Sequence, residues 1–531
     1  MISTSKAKAL FQGHPPSTFQ TIITVALLAS IPVMVALYHD IHRHYLTTID
    51  GDIVFAYEAL RLNSGLSQHT TVHPGYTHYV FLAWWIKIMK WLGLVTVHSL
   101  KDLPSLTSSA FETAYAEVIF SIRYFLAAFS AVFIALFFTG IRYLTRNFSI
   151  AVGICLVFAT SVGLETHSLM TYPESISTFF WFLALMLLVH MGRERTKIIG
   201  KMFLCGFFVI LAMLAKTQVI PIILALPVLA ILFGPPFDAH SKRFAPFLSP
   251  TDSQLVMTSL CALTLVIPIA VMIVSSVMNK SGAGIYQLLA TLLVLGCFIV
   301  YAKLYDAGKK NTAVAVCGLA GGIAVGFYAT LLYPNIQVID NVTNFLDQLF
   351  TYGASRHGDP AQGSPSLNTI IGPVIKGVSS TLWHRFITID PLNTPLGLMN
   401  WFVLIGTIAT MKQALTRTHL QILALLALSI LTESVFRVYH IENKVLIYFE
   451  LPLLIAVALT LSILDVRLKL SRFRIVPAIL MLVTVVIQSH ILTQDAIIAR
   501  PYLPADSCGI TKAYAAPVAQ GFERYCATSG G

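Results

Sequence analysis

A chain of 531 residues that is 56% hydrophobic and only 11% charged is excluded from the soluble globular class, in which roughly a quarter of residues carry charge. Its net charge of +11 does not signal nucleic acid, because the basic residues are spread through short loops and form no tract with interleaved aromatics. They read as topology signals and contacts to anionic head groups, so the composition predicts an all-α polytopic membrane protein whose partners include membrane lipids and no nucleic acid.

The first residues, MISTSKAKALFQGHPPSTFQ, are polar and weakly basic, and the apolar run 21–38 that follows has no small-x-small cleavage site. It is expected to remain as the first span. With about 20 apolar residues needed per crossing, further spans are expected near 117–140, 148–165, 174–191, 202–215, 218–234, 255–276, 284–302, 312–333, 394–411, 419–436, 444–464 and 475–492. That makes about thirteen in all. Placing the N-terminus inside gives every inside segment at least two Lys or Arg, for example Arg142 with Arg146 and Lys303 with Lys309 and Lys310. An odd number of crossings then puts the C-terminal tail outside.

Two outside segments are long, 39–116 and 334–393. In the first, residues 53–63 read as an amphipathic helix lying at the interface, with Phe55, Ala59 and Leu62 on one face and Tyr57, Glu58 and Arg61 largely on the other, ended by Gly65. The run 81–95 carries Lys87 and Lys90 in its middle and Trp84, Trp85 and Trp91 around them, which predicts an interfacial helix and not a span. The second segment has no apolar run long enough to cross; its Gly/Ser/Pro-rich part, 352–368, reads as a cover over a membrane site or as a plain connector. The organisation expected is a membrane module over 1–240, a second over 241–500 and an outside tail over 501–531. In that tail Cys508 and Cys526 are disulfide candidates, whereas Cys155, Cys205, Cys261, Cys297 and Cys317 lie in apolar runs and read as small buried hydrophobes. Gly318, Gly322 and Gly326 form a small-xxx-small stripe for close helix packing.

The residues that could carry chemistry cluster at the outer membrane edge. Asp50 and Asp52 follow the first span, where a carboxylate near apolar surface can act as a base; Asp52 is alternatively the cap of the helix that starts at Ile53. His73-Pro74-Gly75-Tyr76 forms a rigid turn in which His73 and Tyr76 are substrate-binding candidates. His69, His73 and His78 have no recognised metal spacing. Glu174 opens a membrane helix and either caps it or orders an acceptor; Glu165 and His167 are weaker candidates one loop earlier. Lys216 is an intramembrane cation whose partner is either a lipid phosphate or a structural carboxylate. Glu433, Arg437, Tyr439, His440 and Lys444 form a late cluster whose Arg and Lys can clamp a phosphate, or which serves as an ordinary loop. Trp383-His384-Arg385 is a weaker site. No P-loop, GxSxG or HExxH is present, so ATP is not expected to drive the protein.

Taken together these features resemble the integral-membrane GT-C glycosyltransferases, in particular the protein O-mannosyltransferases and lipid A aminoarabinose transferases (the glycosyltransferase family 39-like branch). The resemblance rests on Asp50 to Gly65 in the first outer loop, His73-Pro74-Gly75 at the turn, Tyr172-Pro173-Glu174 between the third and fourth spans, and Arg437 to Pro452 late in the chain. It covers the first 240 residues best. The chain departs from the pattern at Gly51, which follows Asp50 where a Glu is usual, at Gly75 in place of a second Pro, and at Val72, where some aminoarabinose transferases have a metal-serving Glu. That last departure argues against a divalent metal, and no cofactor is firmly implied.

The resemblance implies a GT-C fold and sugar transfer from a polyprenyl-phosphate donor to a lipid, glycan or protein acceptor. Asp50 would be the general base, with Asp52 and Glu174 beside it. His73, Tyr76, Lys216, Arg437, Tyr439, His440 and Lys444 would bind substrate, and the reaction would invert the sugar. The orientation reads as that of a bacterial inner-membrane protein with a cytoplasmic N-terminus and periplasmic C-terminus, an endoplasmic reticulum membrane being the alternative. The competing functions are a GT-C-like glycan ligase or polymerase, and a lipid or sugar transporter (flippase). The main cavity is expected to open to the outer face, lined by Asp50, Glu174 and at least one of Lys216, Arg437 and Lys444.

Overall fold

The computed structural model describes residues 17–39, 41–42, 52–68, 75–193, 198–216, 219, 225, 229, 232–233, 318–326, 329, 367–388, 394–411, 416–438, 446–467, 475–493, 508, 511–512 and 515–522. Among them all regular structure is helical: α1 (Thr18–Tyr38), α2 (Asp52–Asn63), α3 (Tyr76–Trp91), α4 (Ser109–Thr145), α5 (Phe148–Ala159), α6 (Val162–Leu169), α7 (Glu174–Arg193), α8 (Ile198–Ala215), α9 (Leu367–Phe386), α10 (Thr394–Met411), α11 (Arg417–Val438), α12 (Leu446–Arg467), α13 (Ile475–Thr493) and the short α14 (Ala516–Ala519).

Four of these helices, α1, α4, α7 and α12, are long and apolar enough to cross a membrane, five if the bent pair α5–α6 counts as one crossing. The protein is therefore a helical membrane protein. The expected spans at 202–215, 394–411, 419–436 and 475–492 coincide with α8, α10, α11 and α13, which are apolar over shorter stretches. Those at 255–276 and 284–302, with most of 218–234 and 312–333, lie outside the described residues.

Local chemistry explains the helix ends. Ser17 and Gln20 form a reciprocal capping box at the start of α1. Gly65, at φ +76°, closes α2: its N–H donates to the Leu62 carbonyl and the Leu66 N–H donates to the Arg61 carbonyl, the two bonds of a Schellman motif. The span expected at 148–165 is instead broken by a 54° bend. Ser161 causes the break, because its hydroxyl accepts the Leu164 N–H and so begins a second helix.

Helix α4 has 37 residues, which at 1.5 Å per residue is about 55 Å, well beyond the roughly 30 Å of a hydrocarbon core. One projecting end carries Phe111 and Tyr115. The Tyr115 hydroxyl donates to the Ile53 carbonyl of α2 at 2.8 Å, and Phe522 of the C-terminal tail packs its ring against both Phe111 and Tyr115. Two regions far apart in sequence are thus held at one end of the same helix.

Helix α12 occupies the centre, with 89% of its apolar window buried against 17% for the peripheral α1. It packs against α10 and α11 and also against α4 to α7, so residues of the two expected modules share one core. On α8, Gly206 lies against the Leu319 carbonyl, and Gly322 lies against the Phe203 carbonyl and the Phe207 amide. The expected small-residue stripe therefore brings two backbones into contact, as packing in lipid favours.

One expectation for the outer segments is corrected. Helix α2 is not a surface helix: Tyr57 and Glu58 are buried along with Phe55 and Ala59, because α3 and α4 cover α2. The second outer segment contains α9, to which no element was assigned from sequence, and its far end, Arg385, is buried. Helix α3 keeps Trp84 and Trp91 exposed and is not among the apolar crossings, in line with an interfacial helix.

Candidate functional site

The first residue of α2, Asp52, is buried, and both of its oxygens are engaged. Arg123 of α4 donates to Oδ2 through Nε at 3.0 Å and Nη2 at 2.6 Å. Thr171, in the link between α6 and α7, donates its hydroxyl to Oδ1 at 2.6 Å. The third guanidinium nitrogen of Arg123 donates to the Ile41 carbonyl at 2.9 Å. Asp52 thus fastens the end of the first crossing, the start of α2, the middle of α4 and the α6–α7 link. It is a buried carboxylate at the first turn of its helix, paired with Arg123.

Thr171 continues the network. Its carbonyl pairs with His78 Nε2 of α3 at 3.1 Å. A carbonyl only accepts, so Nε2 carries the proton and Nδ1 is a bare acceptor; Nδ1 is buried and has no hydrogen-bond partner. Burial pushes the His78 imidazole down to about 3; the bond to Thr171 opposes that shift, and the neighbouring Lys216 and His167 reinforce it. The ring meets Phe55 edge-on at 5.4 Å, and Phe55 also touches Tyr79 and Tyr172. Burial, with the Glu58 carboxylate beside them, drives the Tyr76 and Tyr79 phenols upward, so both remain protonated donors.

Glu174, the first residue of α7, pairs with Lys216, the residue just past α8, at 3.1 Å, with both side chains buried. Of the two partners the sequence offered Lys216, the structural carboxylate is the one observed. Glu174 keeps its second oxygen, Oε2, buried without a hydrogen bond. Tyr448 of α12 faces Glu174 and Ser177 from the opposite side. Asp52, Tyr76, Glu174 and Lys216, all candidates in the sequence, therefore meet in one buried cluster together with His78 and Tyr448. Sequence reasoning passed over His78; the available signal was its helical register with the buried Leu82 and Ile86, which puts it on the covered face of α3. Asp50, His73, the Arg437 side chain, Tyr439, His440 and Lys444 lie outside the described residues.

A second polar cluster sits on the other side of α12. Arg385 at the end of α9 pairs through Nε with Glu433 of α11, both buried, and its guanidinium lies 4.9 Å from the centre of the Phe449 ring. Glu450 of α12 faces Ser161 and the Gly163 amide at the start of α6, and Arg385 is close enough to act on it electrostatically. Arg385 Nη1 and Glu450 Oε2 are buried without partners, as is Glu165 Oε1 one turn further along α6.

A cavity of about 30 Å³ lies among α5, α10, α12 and α13. Its walls are apolar apart from Thr484 and, among the described residues, include neither Glu174 nor Lys216. Its position follows from side-chain shape, which the order of polar motifs along the chain does not encode.

In the tail, Cys508 is buried and disulfide-bonded, while Cys526 lies outside the described residues. Cys155 and Cys205 are free and buried, as expected of small hydrophobes. Among the described residues no three His, Cys, Asp or Glu side chains converge as metal ligands. Comparison with protein-family models, with curated proteins and with solved structures returned no match.

Proposed function

We propose that this protein transfers a sugar from a polyprenyl-phosphate carrier to an acceptor hydroxyl at the outer face of the membrane. The observation that carries this reading is the convergence of Asp52, His78, Thr171, Glu174, Lys216 and Tyr448, from separate stretches of chain, into one buried cluster beside the segment that contains Asp50. Because Asp52 is immobilised by Arg123 and Thr171, the base is Asp50. It takes the proton of the acceptor hydroxyl as that oxygen attacks the anomeric carbon. The bond from carbon to phosphate oxygen breaks, and the lipid phosphate leaves with the bonding pair. Lys216, Arg437 and Lys444 would neutralise the departing phosphate without having to protonate it. The bare acceptors His78 Nδ1 and Glu174 Oε2 supply places for sugar or acceptor hydroxyls.

The packing of Phe522 on Phe111 and Tyr115, which in turn hold α2, supports a shared side for the tail and the first outer segment. With α1 crossing ahead of them, the N-terminus would face the cytoplasm. The Cys508 disulfide fits an oxidising compartment such as the periplasm.

The test is transfer of labelled sugar from polyprenyl phosphate in membranes. Asp50→Asn is expected to lower transfer by about 10²–10⁴-fold in a folded protein, while Asp52→Asn acts first on stability. Wild-type transfer by Asp50→Asn would remove that residue from the mechanism. Movement of label across the bilayer with no covalent product would identify a transporter.

A further inference from the structure

The start of α2 is gripped by α4 at two points. Arg123 holds the Asp52 carboxylate, and the Tyr115 hydroxyl donates to the carbonyl of the next residue, Ile53, at 2.8 Å. Tyr115 and Arg123 are two turns apart, so the grips are separated by about 12 Å along α4. One grip alone would let α2 pivot, whereas two fix its direction as well as its position.

The Tyr115 grip is backed by the C-terminal tail. Phe111, one turn earlier on α4, lies 5.7 Å from Tyr115, centre to centre, and Phe522 meets the two rings edge-on at 5.4 and 5.3 Å. All three rings are fully buried. A terminal segment stays loose unless something ties it down, and this one is tied here: Ala515, Val518 and Phe522 are buried in the same core as Ile53 and Tyr115. Gly521 makes the approach possible, because a Cβ at that position would run into the Phe111 ring.

We propose that the tail is a strap for the first polar cluster: docked through Phe522, it keeps the Tyr115 hydroxyl on the Ile53 carbonyl and so fixes the start of α2 against α4. Its consequence for chemistry rests on the glycosyl-transfer reading. Residue 50 lies two positions before α2, so a pivot of that helix would misplace the base, and a misplacement of about 1 Å can cost on the order of 10²-fold in rate. Tyr115 and Phe522 are then positioning residues that act through α2 and touch no substrate.

Amide hydrogen exchange on the full-length protein in lipid nanodiscs reads the strap with no reaction involved. The amides of Tyr57, Glu58 and Ala59, which bond to the first carbonyls of α2, report on its start. Gly521→Val is expected to speed exchange at least about tenfold both there and in the tail, with α7 and α12 unchanged. Phe522→Leu, a milder change that keeps apolar bulk, should act in the same direction. Tyr115→Phe keeps the ring and loses only the hydroxyl, so it should loosen the start of α2 and leave the tail protected. A tail that stays protected in Gly521→Val, a released tail with α2 unchanged, an unchanged α2 in Tyr115→Phe, or an equal loss of protection in every helix of all three variants would each overturn the proposal. In the transfer assay Tyr115→Phe should lower kcat about tenfold and leave the donor KM within about twofold; wild-type kcat in a protein whose α2 is loosened would overturn the positioning role. Absence of transfer by the wild-type protein would instead sink the glycosyl-transfer reading, and the exchange result would decide the strap by itself.

Discussion

Tyr448 and Glu450 are two residues apart on α12 and so face opposite ways, one toward the Asp52–Glu174–Lys216 cluster and the other toward Arg385 and Glu433. The first region is closely paired. Both oxygens of Asp52 are occupied, Arg123 uses each of its three nitrogens, and Lys216 has its carboxylate. The second region holds one ion pair, Arg385 with Glu433, and leaves Arg385 Nη1 and Glu450 Oε2 buried without partners. A buried charge that has lost its partner is costly, so the Asp52–Arg123 and Glu174–Lys216 pairs make the first region a clamp that fixes where segments lie. Both regions keep unmatched polar atoms, those of the first being His78 Nδ1 and Glu174 Oε2.

The contrast breaks if the clamp proves dispensable. Arg123→Ala leaves Asp52 charged, buried and short of its main partner, and should cost about 3–5 kcal/mol in unfolding measurements. A cost within the range of ordinary surface substitutions would mean that the pair holds nothing in place. Lys216→Met strands Glu174 in the same way. A double-mutant cycle with Glu174→Gln should return a coupling of about 1–3 kcal/mol, and zero coupling would separate the two side chains in function as well.

Packing is tested next. Gly322→Leu drives a side chain into the Phe203 carbonyl and should destabilise by about 1–3 kcal/mol, read as a lower melting temperature, whereas Leu at the open position Gly200 should change little.

The pH dependence sharpens the comparison further. His78 is held down to about 3 in the folded chain against 6.5 for an ordinary histidine. Between those values the unfolded chain binds the extra proton, so this contribution to stability is present above about 6.5 and is lost as the pH falls toward 3. In a pH series of melting curves, His78→Gln should flatten that part of the profile; an unchanged slope would show that His78 does not stay neutral on folding.

The smallest effect is expected in the second region. Glu450→Leu removes an oxygen that is already unsatisfied together with the acceptor of Ser161 and the Gly163 amide, so it should cost about 1–2 kcal/mol, less than Arg123→Ala. A loss as large as that of Arg123→Ala would make the second cluster a clamp too.

Much of the helical layout is legible in the sequence because a crossing needs a long apolar run and little else. The runs at 21–38, 174–191 and 444–464 match α1, α7 and α12 closely. Gly65 was readable for a local reason: a left-handed C′ position favours glycine wherever it occurs. The bend at Ser161 was less legible, since a serine inside an apolar run signals a new helix only once its hydroxyl is seen to take the Leu164 amide. Glu58 was misjudged because α2 looks amphipathic alone, and its polar face becomes interior only when α3 and α4 close over it.

Hydropathy, basic-residue placement and helix-ending residues are one-dimensional properties, so the sequence by itself determined that this is a helical membrane protein and where several of its crossings lie. Which polar side chains meet was decided by the tertiary structure alone. Arg123 finds Asp52, Lys216 finds Glu174 and Arg385 finds Glu433 across long stretches of chain. A buried charge requires a partner but does not specify which one, and the choice falls to the packing that brings a particular pair within reach.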